Sequence, residues 1–181
     1  MYFQSPVNFP QVGRAVKEFV KHQMLDSLTT NEIVKKRNVE LVAFCIMPNH
    51  FHLILKETEE GGISKYMQRV LNSYAKYYNT KYEKSGHLFQ GKYKAVHIES
   101  NEQLLYLSAY IHRNPRELHE HRGEEELYQW SSLGDYVNEN RWGQLLVPDI
   151  ILEQYKNKDE YKKFVSTSIA KLLEEELGEM F

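Results

Sequence analysis

The sequence predicts a mixed α+β fold. Residues 12–37 and 63–82 both place apolar side chains three and four positions apart, which is the spacing of an amphipathic helix. Between them, 39–47 and 50–57 are rich in β-branched and aromatic residues and are separated by Pro48-Asn49, a turn signal. We therefore expect two helices flanking a pair of strands joined as a hairpin.

A third helix is predicted at residues 101–113. Ser100 followed by Gln103 has the spacing of a capping box, and Pro115 is expected to end the helix. The segment 84–100, which leads into this helix, is expected to be extended after a Ser-Gly turn.

Length and composition indicate one domain spanning 1–181, in which 41% of residues are apolar and 27% are charged. The first five residues resemble the remnant of a cleaved tag, and 137–181 is predicted to be a C-terminal helical extension. The single Cys45 excludes an intrachain disulfide and a cysteine zinc cluster, which suits the cytoplasm. The sequence contains no apolar run of membrane-spanning length and does not open with a signal-peptide pattern, so we expect a cytoplasmic protein with no membrane partner.

The charge is unevenly distributed along the chain. The net charge is −2, but 1–98 carries +6 and 99–181 carries −8. A local basic surface binds phosphates whatever the total charge. The candidate DNA-binding residues are Arg69, Lys76, Lys92 and Lys94. A solvated helix face is the alternative explanation for these basic residues. For the tyrosines of the predicted helix 63–82, the alternative to a role in binding is core packing, which we expect for Tyr74 and Tyr78.

Two histidines interrupt the second predicted strand. Side chains alternate along a strand, so His50 and His52 lie on one face and Phe51 on the other. Two imidazoles about 7 Å apart along a strand are able to bind one divalent ion. Surface or hydrogen-bonded histidines are the common alternative.

The third predicted helix supplies further candidate residues. Tyr110 and Asn114 are four residues apart, which places them on one helical face. A tyrosine hydroxyl can attack a phosphodiester when a metal ion polarises the phosphate, and an amide oxygen is an acceptable ligand for Mg²⁺ or Mn²⁺. Tyr106 lies one turn earlier on roughly the same face, and spacing alone does not exclude it.

Four stretches together resemble a known family. "MPNHFHLIL", "SGHLFQGKYKA", "YIHRNP" and "WSSLGDYV" occur in this order between about Val39 and Tyr136. They resemble the HUH single-tyrosine transposases, and within these the REP-associated tyrosine transposases, relatives of the small TnpA insertion-sequence enzymes. The resemblance implies a ferredoxin-like (RRM-like) α+β fold, an antiparallel sheet with helices packed on one face.

The resemblance also implies a reaction and its residues. Tyr110 would be the nucleophile, and His50, His52 and Asn114 would bind Mg²⁺ or Mn²⁺. The substrate would be single-stranded DNA at or near a hairpin, cleaved through a 5′-phosphotyrosine intermediate. The family's first strand is not recognisable before Val12 and is expected in "SPVNF" or is absent.

Two other functions remain open. One is a domesticated, non-catalytic protein that binds hairpin DNA or RNA. The other is a metal-dependent hydrolase with a water nucleophile, for which Tyr110 would be dispensable. A homodimer and a monomer are both compatible with the sequence.

Overall fold

The computed structural model describes residues 27–89 and 91–168. The strands are β1 (Val39–Ile46) and β2 (Phe51–Glu57). The α-helices are α1 (Ser27–Lys35), α2 (Gly62–Lys81), α3 (Asn101–Arg113), α4 (Leu133–Val137), α5 (Asp149–Leu152) and α6 (Lys158–Thr167). Short 3₁₀ turns occur at Asn114–Glu117, His119–His121, Glu125–Leu127 and Gly143–Leu145.

The chain divides into two compact units. Residues up to Glu40 and Lys56–Tyr93 form the first, and Leu41–Leu55 and the residues from Lys94 onward form the second.

In the first unit, a close backbone approach fixes the start of α2. Gly61 has a φ of 72°, in the left-handed region that glycine tolerates best. A Cβ at Gly62 would clash with the carbonyl oxygen of Asn38. The amide of Thr58 donates to that same oxygen over 3.0 Å. The two consecutive glycines therefore allow the chain to leave β2 and enter α2 beside Asn38.

In the second unit, strand β1 is the centre of the core. The consecutive residues from Leu41 to Cys45 are all buried, as in a strand that is covered on both faces. One edge of β1 pairs with β2, and the other edge bonds to the irregular chain that follows α3. Ile46 donates to Trp130 O over 2.9 Å, and Val147 donates to Leu41 O over 2.8 Å. The strand is thus internal although its second neighbour is not a regular strand.

Helix α3 begins as its sequence predicts. Ser100 Oγ accepts a hydrogen bond from the amide of Gln103 over 3.1 Å. The Gln103 side chain reaches back to the amide of Glu99 over 2.8 Å, one residue earlier than in a standard capping box. The α-helix ends at Arg113, and Pro115 lies in the 3₁₀ turn that follows.

The strands β1 and β2 and helices α2 and α3 confirm the α+β prediction to within a residue or so at each end. The ferredoxin-like arrangement stays a prediction, because the described residues form a sheet with two strands. The candidate first strand "SPVNF" and residues 12–26 of the first predicted helix lie outside the described residues. The division into one domain with a helical extension at 137–181 also stays a prediction.

The structure corrects the expectation that Tyr74 is a core residue. Its side chain is 49% exposed on α2, and Tyr77 on the same helix is 57% exposed. Within the part of the chain that the structure describes, no helix has the length and apolar character needed to cross a membrane.

Candidate functional site

The two histidines lie at the start of strand β2, His50 directly before it and His52 within it. His50 lies in the turn, and its carbonyl accepts the amide of Met47 over 2.8 Å, which closes the hairpin. His52 follows on the same face, and the two imidazole centroids are 5.0 Å apart. Both side chains are partly exposed. The alternation of side chains along the strand therefore brings the rings together at the surface.

The other two predicted residues lie at the carboxyl end of helix α3, Tyr110 in its last turn and Asn114 directly after it. Tyr110 is partly exposed, whereas Asn114 is 5% exposed. The Asn114 Nδ2 donates to the carbonyl oxygen of Tyr110 over 2.9 Å. This bond fixes the orientation of the amide, so that Oδ1 is the Asn114 atom that faces away from the helix.

The strand and helix residues meet in one place. Asn114 Oδ1 lies 3.3 Å from His50 Nε2. The ring of Tyr110 packs edge-on against the ring of His52, with centroids 5.4 Å apart. By contrast, Tyr106 places its ring 5.9 Å from that of Phe164. The structure therefore brings together the four residues His50, His52, Tyr110 and Asn114 and places Tyr106 beside another partner.

The hydrogen bonds of His50 favour a cation between the imidazole and Asn114. His50 Nδ1 lies 2.7 Å from Asn49 Oδ1, and an amide oxygen only accepts, so Nδ1 carries the proton. In a neutral ring, Nε2 then presents its lone pair to Asn114 Oδ1, which is also an acceptor. Two facing acceptors repel each other unless a proton or a metal ion lies between them. Neighbouring oxygen and nitrogen ligands of an octahedral Mg²⁺ site lie about 3 Å apart, close to the observed 3.3 Å.

The donor set is suited to a divalent ion. Among residues 27–89 and 91–168, no group of three or more His, Cys, Asp or Glu side chains could hold a metal. The third candidate ligand, beside the imidazoles of His50 and His52, is the amide oxygen of Asn114. Two imidazoles and one oxygen could hold a divalent ion with water in the remaining positions, and Mg²⁺ or Mn²⁺ as that ion stays a prediction.

Burial keeps His52 in its neutral form. Desolvation, followed by the charge of the nearby His50, lowers the pKa of His52 to about 4, while a hydrogen bond with Asn114 acts in the opposite direction. A neutral imidazole is the form that binds a metal. At neutral pH, His52 therefore needs to lose no proton before it acts as a ligand.

Sequence reasoning assigned no role to several residues around the site. Asn49, immediately before His50, orients that ring. Its position in the chain could have indicated this, because an Asn side chain readily bonds a neighbouring group. His112, between Tyr110 and Asn114, is fully buried and bonded at both ring nitrogens. No local signal in the sequence distinguishes it from a surface histidine.

The four candidate DNA-binding residues lie outside this cluster. Arg69 and Lys76 are on α2 and seven residues apart, which places them on one helical face. Lys76, Lys92 and Lys94 are exposed, and Arg69 is partly buried. Lys92 and Lys94 belong to a stretch between α2 and α3 that forms no helix and no strand.

Comparison with known families identifies the class of protein. A family model described as "Transposase IS200 like" matches residues 14–114, which is 101 of the 181 residues. The match includes both histidines and extends through Tyr110 to Asn114. No curated protein and no solved structure matches the chain.

The chain belongs to the IS200-like transposase family. Membership establishes its broad function as that of a transposase, which binds and cuts DNA.

The titration of His52 tests the description of this site. In the metal-free protein we expect the His52 ring to titrate near pH 4, against about 6.5 in the unfolded chain. The unfolded chain then binds the proton more readily, so this group makes stability fall as pH drops from about 6.5 towards 4. The measurement is an NMR pH titration of the imidazole resonances, assigned with His52→Gln. A midpoint near 6.5 would show that the ring is fully hydrated.

Proposed function

We propose that this protein is a metal-dependent single-stranded DNA endonuclease and strand transferase that acts at or near DNA hairpins. One observation carries the proposal: Tyr110 and Asn114 at the carboxyl end of α3 meet His50 and His52 at the start of β2, within the distances given above. A protein that only bound DNA would not need a tyrosine beside two imidazoles and an amide. Membership of the transposase family supports the same conclusion.

In the proposed reaction, the phenol oxygen of Tyr110 attacks the phosphorus of the scissile phosphodiester. The bond between phosphorus and the 3′ oxygen breaks, the 3′ oxygen leaves as a hydroxyl, and the 5′ phosphate stays on Tyr110. The phenol proton passes to water, and the leaving 3′ oxygen takes a proton from water to become the hydroxyl. Because the phosphotyrosine bond replaces a phosphodiester of similar energy, the attack of a 3′ hydroxyl can reverse the step without ATP.

His50, His52 and Asn114 would hold a divalent ion, Mg²⁺ or Mn²⁺. When bound, such an ion neutralises the phosphate charge and stabilises the leaving oxygen. The protein itself positions the side chains that would bind this ion. Asn49 holds the His50 ring, and the bond from Asn114 to the Tyr110 carbonyl holds the amide that faces it.

We also extend this proposal to the finer family features. The REP-associated subgroup and the ferredoxin-like fold are supported by the four sequence stretches that resemble it and by the central, doubly covered strand β1.

As DNA-binding residues we propose the basic Arg69, Lys76, Lys92 and Lys94, helped by aromatic rings on α2 and at its carboxyl end. Tyr77 and Tyr82 are 57% and 51% exposed. The Lys81 ammonium lies 5.5 Å from the Tyr77 ring and 5.3 Å from the Tyr82 ring. Exposed rings stack on unpaired bases while neighbouring cations contact phosphates, a combination typical of single-strand binding.

Replacing the nucleophile tests the proposed chemistry. In Tyr110→Phe we expect the covalent adduct to vanish and cleavage to fall by at least about 10³-fold, because only the attacking oxygen is lost. Labelled single-stranded hairpin DNA is incubated with protein and Mn²⁺ and then denatured. Tyr106→Phe, the matched control one turn earlier, should form the adduct at the wild-type rate.

Each other outcome identifies a different function. If Tyr110→Phe still cleaves, water is the nucleophile and the protein is a metal-dependent hydrolase. If the wild-type protein binds the hairpin but never cuts it, the domesticated binder is correct. Loss of the adduct in Tyr106→Phe alone would show that the nucleophile is Tyr106, one turn earlier on the same helix, and not Tyr110.

Salt dependence tests the proposed DNA surface. Each phosphate contact to single-stranded DNA contributes about 0.7 to the slope of log K against log salt. We expect Lys92→Ala/Lys94→Ala to flatten that slope by up to about 1.4 units, with little sequence dependence. The matched control is Lys156→Ala/Lys163→Ala, which removes two exposed lysines from the acidic half of the chain. Equal slopes for the two double variants would show that the DNA binds elsewhere.

A further inference from the structure

A buried chain of hydrogen bonds centred on His112 fixes helix α3 from its other side. The His112 side chain is fully buried. Its Nδ1 lies 2.7 Å from the hydroxyl of Tyr161 on α6, and its Nε2 lies 2.8 Å from Ser132 Oγ. Both ring nitrogens are therefore bonded, and rotation of the imidazole would break both bonds.

The donors and acceptors on the α6 side are consistently paired. Ser108 donates its hydroxyl proton to Leu105 O over 2.7 Å, so its oxygen accepts the proton of the Tyr161 hydroxyl over 3.1 Å. Tyr161 Oη then accepts from His112, and Nδ1 carries the imidazole proton. Since a neutral ring has one N–H, Nε2 is an acceptor.

Ser132 continues the chain to strand β1. Its Oγ accepts the amide of Phe44 over 2.9 Å and lies 2.8 Å from His112 Nε2, to which it donates. The Ser132 Oγ also lies 3.1 Å from the Phe44 carbonyl oxygen. That oxygen already accepts the Ser132 amide over 2.9 Å, so the hydroxyl proton is available for the closer His112 Nε2. The chain therefore runs from a backbone N–H of β1, through Ser132, His112, Tyr161 and Ser108, to a backbone carbonyl of α3.

The helical geometry explains why this chain matters for the site. His112 is two residues from Tyr110, about 200° around the helix, so it points into the core. Asn114, four residues from Tyr110, points to the same side as Tyr110. One face of α3 thus forms half of the candidate site. The opposite face is linked through Ser132 to β1, and the hairpin that follows β1 carries the two histidines of the site.

We propose that His112, through Ser132 and Tyr161, is a positioning residue for the cleavage reaction. The bonds of His112 set the rotation of α3 and its height above β1. They therefore also set the distances of Tyr110 and Asn114 from His50 and His52. Displacing a reacting group by about 1 Å costs about 10²-fold in rate. This inference rests on the proposed function, because it needs Tyr110 as the nucleophile.

A matched pair of tyrosine variants separates positioning from simple core stability. Tyr161→Phe removes the hydroxyl that His112 and Ser108 share. Tyr136→Phe removes another fully buried hydroxyl, which donates to Val42 O over 2.7 Å. The hydroxyl forms no hydrogen bond with α3, and the ring, which packs 4.6 Å from that of His112, is kept in the variant. Both variants keep the aromatic ring and lose one buried hydroxyl. Tyr161→Phe leaves two former partners unpaired and Tyr136→Phe one, so the stability of each variant is measured and their rates are compared only where both are folded.

The measured quantities are the single-turnover rate of adduct formation and the DNA dissociation constant, at a temperature where circular dichroism shows each variant folded. We expect the rate to fall about 10-fold or more in Tyr161→Phe, with an unchanged dissociation constant. In Tyr136→Phe we expect a rate within about 3-fold of wild type, since α3 keeps all its bonds. Ser132→Ala, which interrupts the chain of hydrogen bonds at its other end, should behave like Tyr161→Phe. Ser132→Ala is the variant to use if Tyr161→Phe does not fold.

If Tyr161→Phe and Ser132→Ala form the adduct as fast as Tyr136→Phe, the inference is overturned and His112 is only a core residue. The wild-type protein shows which proposal has failed. If it forms no adduct, the proposed function falls and this inference falls with it. If it forms the adduct and the variants react alike, only the positioning role is wrong.

Discussion

The position of helix α3 against the strand hairpin determines whether the candidate site exists. His50 and Asn114 are 64 residues apart in the chain, yet His50 Nε2 and Asn114 Oδ1 lie 3.3 Å from each other. Neither residue can correct an error in the placement of the helix, because each is held by its own local bond. His50 is bonded to Asn49, and Asn114 to the Tyr110 carbonyl. Precision at the site therefore depends on the packing beneath it, where strand β1 is buried on both faces.

The electrostatics of the site follow from the same packing. Burial disfavours the charged form of His52, which leaves its lone pair available. The candidate donors are two imidazoles and an amide, with no carboxylate among them. A divalent ion held by such donors keeps most of its positive charge for a substrate phosphate, whereas carboxylate ligands would cancel part of it. The arrangement thus favours chemistry on an anion over tight metal storage.

The sequence predicts the local parts of this structure and misses the parts that depend on tertiary contacts. The strands, helix α3 with its Ser100 cap, and the pairing of His50 with His52 on one face all follow from periodicity and spacing. The family resemblance and the position of Asn114 favour Tyr110 over Tyr106 as the nucleophile, and in the structure the two rings have different neighbours, His52 for the first and Phe164 for the second.

The two features that the sequence did not reveal, the partners of His112 and the exposure of Tyr74, have a common physical cause. His112 bonds to Ser132 and Tyr161, which are 20 and 49 residues further along the chain, and no local pattern reveals such partners. Tyr74 fits an apolar helical stripe and yet is exposed, because periodicity shows which residues share a face but not whether anything covers it.

The central claim is that the strand histidines and Asn114 form one metal centre beside Tyr110. Anomalous X-ray scattering from crystals of the protein soaked in Mn²⁺ tests it most directly. We expect one strong peak within bonding distance of His50 Nε2, the His52 ring and Asn114 Oδ1, and a markedly weaker peak in crystals of Asn114→Ala. A peak that excludes Asn114, or one of equal strength in Asn114→Ala, would contradict the account.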